Sequence, residues 1–315
     1  MADLLDRRLV FVTGKGGVGK TTVAASLAML AAERGKKVLA CEIDAKGDLA
    51  DAFATGPTAF KAREVHPRLW AMSMDPEESL QEYVRLNLRL PFSARIGPLS
   101  RVFDFVANAA PGVREIVTVG KLTYEVRERH YDLVVVDAPP TGHIIGHLAA
   151  PEAINELVAV GVVRDQTGWM SEILSDPSQT GLVIVSTPEE MPVNETIELS
   201  ARVTKETSVD LAAVVVNRVL PELFGRGEEE VFERLDEPVG VGALQKAAGK
   251  RADALVDAAQ LAVRLRRTRA AHLQTLRESL DRRIPFLLVP ELFSRASGLR
   301  TTRLVAEALG EELGY

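Results

Sequence analysis

The chain predicts an α/β fold: a doubly wound, mostly parallel sheet with helices on both faces. Three observations lead there. Short apolar runs alternate with segments of helical period. A glycine-rich loop, Gly14 to Thr22, joins the first apolar run directly to the first helical segment. Finally, 315 residues that are 46% apolar and 26% charged can build one large core under a solvated surface.

Leu9–Thr13 is a short apolar run of the kind found in buried parallel strands. Thr21–Glu33 follows, with Val23, Leu27 and Leu30 at helical spacing and Gly35 placed to stop the helix. Lys37–Ile43 and Leu69–Met74 read as the second and third strands. Residues 76–130 then read as helices, opened by Asp75-Pro76-Glu77-Glu78 and broken near Pro91 and Pro111-Gly112. Strands return at Asp132–Val136, Gly181–Ser186, Leu211–Val216 and Ile284–Val289. Helices are expected at 144–175, 190–208, 222–281 and 298–311. The helical excess at about 76–130 and 144–180 exceeds a minimal α/β unit. We expect one domain, residues 1–315, with an inserted helical subdomain built from those two insertions; the alternative is extra padding helices on the sheet.

Composition excludes several classes. A net charge of −6 disfavours a nucleic-acid-tracking protein. Cys41 is the single cysteine, so no internal disulfide and no thiolate cage for zinc or an iron–sulfur cluster is available. The N-terminal sequence lacks a signal-peptide layout, and no run approaches the roughly 20 apolar residues of a membrane span. A cytoplasmic protein that meets membranes only peripherally is expected.

Gly14-Lys15-Gly16-Gly17-Val18-Gly19-Lys20-Thr21-Thr22 fits the P-loop pattern between a strand and a helix. Glycines let successive N–H groups turn inward, and the helix N-terminus adds its dipole, which together make an anion cradle. Lys20 should reach the β- and γ-phosphates of ATP, and the Thr21 hydroxyl should ligate Mg²⁺. The fold is therefore expected to be a P-loop NTPase. Lys15 is a second cation beside the phosphates and would repel Lys20 unless an anion balanced both. A carboxylate that ends the second strand, Asp44, is placed to activate water; a helix cap is its alternative role. The strand Leu133–Val136 ends at Asp137, a Walker B pattern that can hold Mg²⁺ through water or through Thr21. Pro139, Pro140 and Gly142 then shape a loop near the γ-phosphate, of a kind that can differ between ATP and ADP states.

The Lys15-bearing loop resembles the deviant Walker A class, in which that lysine reaches the nucleotide of a partner subunit. The combination of that loop with Asp44…Leu49-x-Asp51-Ala52-Phe53 and Asp137-x-x-Pro140-Thr141-Gly142-His143 is similar to the ArsA/Get family. That family holds the arsenite-pump ATPase and the ATPase that targets tail-anchored proteins. Further matches are Asp75-Pro76, Ala110-Pro111-Gly112, Glu195-Thr196, Asn217 and Pro290. The resemblance implies an ATP-hydrolysing dimer, formed by two copies or with a related sister subunit. It implies Lys15, Lys20 and Asp44 as catalytic groups, Asp44 being the water-activating switch I aspartate. Asp137 would be the switch II aspartate, Asn217 would read adenine, and Pro290, Glu291 and Leu292 would pack on the base. His143 belongs to the motif and is given no catalytic role.

Two departures matter. Switch I reads Asp44-Ala45-Lys46-Gly47 where the family has Asp-Pro-Ala-His, which puts the hydrolysis rate in question. The segment after Asn217 lacks the paired cysteines of a zinc-clamped dimer, and Cys41 alone cannot sense arsenite. Apolar groups at Leu80–Leu90, Val102–Val106 and Ile154–Leu174 suggest an ATP-gated carrier of hydrophobic, membrane-protein segments. An energising subunit for a membrane transporter is the alternative. A positioning ATPase of the MinD or ParA type fits less well, because the tail from Leu304 to Tyr315 is acidic.

Overall fold

The computed structural model describes residues 4–44, 46–87, 112–157, 162–222, 237–249, 252–293 and 297–315, with isolated positions between 222 and 237. The strands are β1 (Leu9–Gly14), β2 (Val38–Glu42), β3 (Arg63–His66), β4 (Leu69–Ser73), β5 (Leu133–Asp137), β6 (Thr180–Ser186), β7 (Leu211–Val219) and β8 (Phe286–Pro290). They form one sheet in the order β3-β4-β2-β5-β1-β6-β7-β8. Every neighbouring pair is parallel except β3 with β4. The expected α/β architecture is therefore present, with one antiparallel edge.

The sheet is apolar on both sides because helices cover both. In β1, Val10 and Val12 pack on one side and Leu9 and Phe11 on the other. The first side carries α1 (Lys20–Glu33), α2 (Asp48–Ala52) and α10 (Leu299–Glu312); the second carries α4 (Val113–Arg127), α5 (Thr141–Leu157), α6 (Val162–Ser175), α7 (Glu190–Glu206) and part of α9 (Ala252–Ser279). Helix α1 is buried all round over Val23–Ala32. Five of those ten residues are alanines, and α10 closes over them. The Ser26 hydroxyl donates to the Thr302 carbonyl at 2.8 Å, and the Thr302 hydroxyl donates to the Ala52 carbonyl at 2.8 Å. These bonds stitch α1, α10 and α2 together.

The structure refines several expected elements. β3 is an addition to the expected strands: Arg-Glu-Val-His offers one apolar side chain, and the pairing is interrupted by a bulge between Glu64 and His66. The expected helix 144–175 is two helices, α5 and α6. The expected 222–281 helix contains α8 (Pro238–Ala248) and the 28-residue α9. At the opposite sheet edge, the N–H of Leu288 in β8 donates to the Glu312 carboxylate at 3.0 Å.

Helices α3 (Pro76–Asn87), α4, α5 and α6 pack on one another beside the sheet. Lys121 of α4 bridges Glu82 of α3 and Glu125, each at 2.7 Å. A cavity of about 430 Å³ opens between these helices, with Leu80, Tyr83, Ile116, Ile154, Trp169 and Met170 in its wall. Pro91, the Val102–Val106 cluster, Ala110-Pro111 and Val158 lie outside the described residues. Among the described residues, no helix is long and apolar enough to cross a membrane.

Candidate nucleotide site

The sheet order places β1 between β5 and β6, with β2 next to β5. The C-terminal ends of β1, β2 and β5 thus meet, and ligands of open α/β sheets bind at such an edge. Gly14 ends β1 at φ +154°, and a Cβ there would stand 2.1 Å from the Val185 carbonyl oxygen. The loop runs on to Gly19, whose φ of +95° starts α1. A Cβ on Gly19 would stand 2.5 Å from Nδ2 of Asn217. These two close approaches, one to a strand and one to a side chain, hold the loop over the end of the sheet.

A cleft of about 540 Å³ faces the loop. Gly16, Gly17, Gly19, Lys20, Thr21 and Thr22 form one wall. The opposite side comes from Lys46, Asp48 and Asp51 of the segment expected to be switch I, Pro140, and Ser297, Gly298, Thr301 and Thr302 around the start of α10. Lys20 folds across the loop, and its ammonium donates to the Lys15 carbonyl at 3.4 Å. Burial lowers the pKa of Lys20, and the Asp137 carboxylate opposes that shift.

Asp137 ends β5. The Thr21 hydroxyl donates to its Oδ2 at 2.5 Å, whereas Oδ1 is buried with no partner. Burial lifts the Asp137 carboxyl to about 6, although the Thr21 hydroxyl and Lys20 pull it down; Glu42 and Asp48 push it further up. A buried carboxylate oxygen without a donor, next to a threonine hydroxyl, is an all-oxygen set suited to Mg²⁺. The residues therefore fit the ion that the loop motif implies. The loop after Asp137 is tied to β1, since the Thr13 hydroxyl donates to the Pro139 carbonyl at 2.7 Å.

Lys15 lies on the far side of the loop and pairs with Glu195 of α7. The other oxygen of Glu195 accepts the Thr141 hydroxyl at 3.1 Å. Glu195 therefore joins the Lys15 ammonium to the first residue of α5.

The loop expected to be switch I is held by a residue that the sequence reading missed. Glu42 is the last residue of β2 and is 2% exposed. Its carboxylate accepts the backbone N–H groups of Lys46, Gly47 and Asp48 at 3.2, 3.2 and 3.1 Å. Ser73 Oγ also donates to it, at 3.4 Å. Asp44 is half-buried, with the Lys46 ammonium 3.6 Å away. One signal for Glu42 was present: a lone carboxylate inside the apolar run Val38–Ile43.

The residues expected around adenine are placed differently from the phosphate residues. The Asn217 amide donates to the Val18 carbonyl at 2.9 Å and accepts from Arg218 N–H at 2.9 Å. It braces the P-loop from beneath. Leu292 packs against the core, and Glu291 sits 3.9 Å from Arg269. Asn217, Pro290, Glu291 and Leu292 stand outside the lining of the 540 Å³ cleft.

Comparison with known proteins gives the family. The family model described as anion-transporting ATPase, ArsA type, matches residues 7–167 and 162–233. The chain is 32% identical over 225 residues to the ATPase BagA of Mycobacterium tuberculosis, covering 68% of this chain and 66% of that protein. It is 28% identical over 258 residues to the ATPase GET3 of Mycosarcoma maydis, covering 70% and 76%. An ATPase ASNA1 homolog of Cryptosporidium parvum is 29% identical over 247 residues, covering 67% and 65%. The matched region spans just under two thirds of the mycobacterial protein's length. With the P-loop, the Asp137 strand end and this coverage together, the chain belongs to the ArsA ATPase family.

Proposed function

We propose that this protein binds Mg·ATP in the cleft beside Gly14–Thr22, hydrolyses it, and uses the cycle to capture and release hydrophobic protein segments as a dimer. The observation that carries the hydrolytic part is the Thr21–Asp137 pair with its unpartnered buried oxygen, set against the glycine loop. Mg²⁺, held there by Thr21 and Asp137, would supply charge neutralisation at the phosphates. Lys20 stabilises negative charge on the β- and γ-phosphate oxygens, and Asp44 orients and deprotonates the attacking water. Lys15 acts across the dimer on the partner's nucleotide, in the manner of an arginine finger. In the free chain it is paired with one oxygen of Glu195, so its transfer to the partner's phosphates would also free the carboxylate whose other oxygen accepts from Thr141.

The client part rests on the cavity among α3, α4, α5 and α6, whose wall is largely aromatic and aliphatic. Clefts of this size and lining suit apolar side chains. Helix α5 starts at Thr141, directly after the phosphate-facing loop, and reaches the cavity at Ile154. A nucleotide-dependent shift of that loop is thereby transmitted along a single helix. The relatives BagA and GET3 bear the name ATPase, which supports the hydrolytic reading.

Sedimentation velocity tests the assembly. Wild-type protein with a non-hydrolysable ATP analogue and Mg²⁺ is expected to sediment as a dimer, and with ADP to redistribute. The Lys15→Ala variant is expected to bind nucleotide but lose hydrolysis. Identical sedimentation in every nucleotide state would reject the dimer switch.

A further inference from the structure

Glu42 has no part in the phosphate chemistry described above, yet it is buried and carries four hydrogen bonds from one side of the site. We propose that Glu42 is the positioning residue of switch I: its carboxylate pins the loop that carries Asp44, so that Asp44 meets water at a fixed place. The proposal rests on reading Asp44 as the water-activating aspartate.

The geometry is specific. Asp44 lies between two anchors. On one side, the N–H of Ile43 donates to the Asp137 carbonyl at 3.1 Å, fastening the loop to the strand that ends in the metal-site carboxylate. On the other, Glu42 collects the N–H groups of Lys46, Gly47 and Asp48. Helix α2 begins at Asp48 after Gly47, which has no side chain to cap it. The first N–H groups of a helix lack partners within it. Glu42 meets this need from a neighbouring strand, and the loop's left-handed turn at Gly47, φ +83°, brings the three donors to it.

The local sequence explains why such an anchor is useful. A proline after the switch aspartate would restrict the backbone by itself. This chain has Ala45-Lys46-Gly47 there, and Gly47 adds backbone freedom. Three charge-assisted N–H bonds to a buried carboxylate restore the restriction from outside the loop. Glu42 acts through Asp44 and does not itself touch the phosphates, so it affects turnover rather than nucleotide affinity.

The test compares Glu42→Gln, Asp44→Asn and the double variant in the full-length chain, by steady-state ATP hydrolysis and by titration with a fluorescent ATP analogue. In Glu42→Gln the new side chain can accept at one oxygen and presents an amide to the remaining donors, which keeps the volume and breaks the cage. Expected is a loss of kcat of about tenfold or more, with nucleotide affinity changed by less than about threefold. Added to Asp44→Asn, Glu42→Gln should change little further, because both disable one unit. Wild-type kcat in Glu42→Gln together with a strong loss in Asp44→Asn would overturn the proposal and leave the Asp44 reading standing. Full activity in Asp44→Asn would overturn that reading and the proposal with it. Should Glu42→Gln fail to fold, hydrogen exchange in the wild type decides. Protected amides at residues 46–48 are expected; exchange at free-peptide rates would overturn it.

Discussion

At the scale of single residues, burial of a carboxyl group in the site links stability to pH. Asp137 is the clearest case. Its carboxyl, lifted to about 6 mainly by burial, binds a proton more tightly in the folded chain than in the unfolded one. The stability that this group contributes is complete below its unfolded pKa of 3.8 and is lost as pH rises through about 6. The shift corresponds to about 3 kcal/mol of destabilisation at neutral pH in metal-free protein. Asp137→Asn should therefore raise the urea midpoint of nucleotide-free, metal-free protein at pH 7.5 and leave it nearly unchanged near pH 4. The same variant should lose Mg-dependent hydrolysis. Equal effects on stability at both pH values would contradict this account. Burial pushes the Cys41 thiol pKa up as well, so the thiol stays neutral and fills β2 as a small apolar side chain.

At the scale of elements, the junction of strand and loop sets the site. Gly14→Ala would put a methyl group 2.1 Å from the Val185 oxygen, an overlap that β1 or β6 must move to relieve. We expect a loss of stability of about 3 kcal/mol or more and loss of nucleotide binding, measured by urea unfolding and analogue titration. This junction was legible in the sequence, because a glycine between an apolar run and a helical period has one structural use. The parallel strands and the Asp137 strand end were legible for the same reason: each combines local period with a residue type that its position demands. The anchor at Glu42 was not, because its partners are backbone N–H groups, which carry no sequence signature. β3 was hidden by its length of four residues and by lying half-exposed at an edge. The tie from Asn217 to the Val18 carbonyl joins residues far apart in the chain, so asparagine read as a base-recognition group without sign of its bracing role.

At the scale of the whole molecule, the sheet separates two layers of helices, and the first of them borders the candidate nucleotide cleft. The start of α10 and the residues just before it contribute Ser297, Gly298, Thr301 and Thr302 to the cleft, and α10 closes over α1, so a ligand in the cleft would touch the packing of the first layer. Mg·ATP that binds only the folded chain should raise its thermal midpoint. At a hundredfold excess over Kd the gain is about 2.7 kcal/mol, or several degrees for a chain of this size. Addition of EDTA should remove most of it, read by differential scanning fluorimetry. No shift with either ADP or ATP would argue against the cleft as the nucleotide site.

The two ends of the sheet bear on how copies meet. At one end stands a four-residue strand whose pairing slips between Glu64 and His66 and which bears Arg63 and Glu64. At the other, an N–H that would otherwise welcome another strand is occupied by Glu312. Both are devices that discourage strand-to-strand growth. Continuation of the sheet into a neighbouring molecule is thereby disfavoured in both directions. Any pairing of two chains is left to the loops and helix faces, where contact can be made and broken without disturbing the ladder of hydrogen bonds.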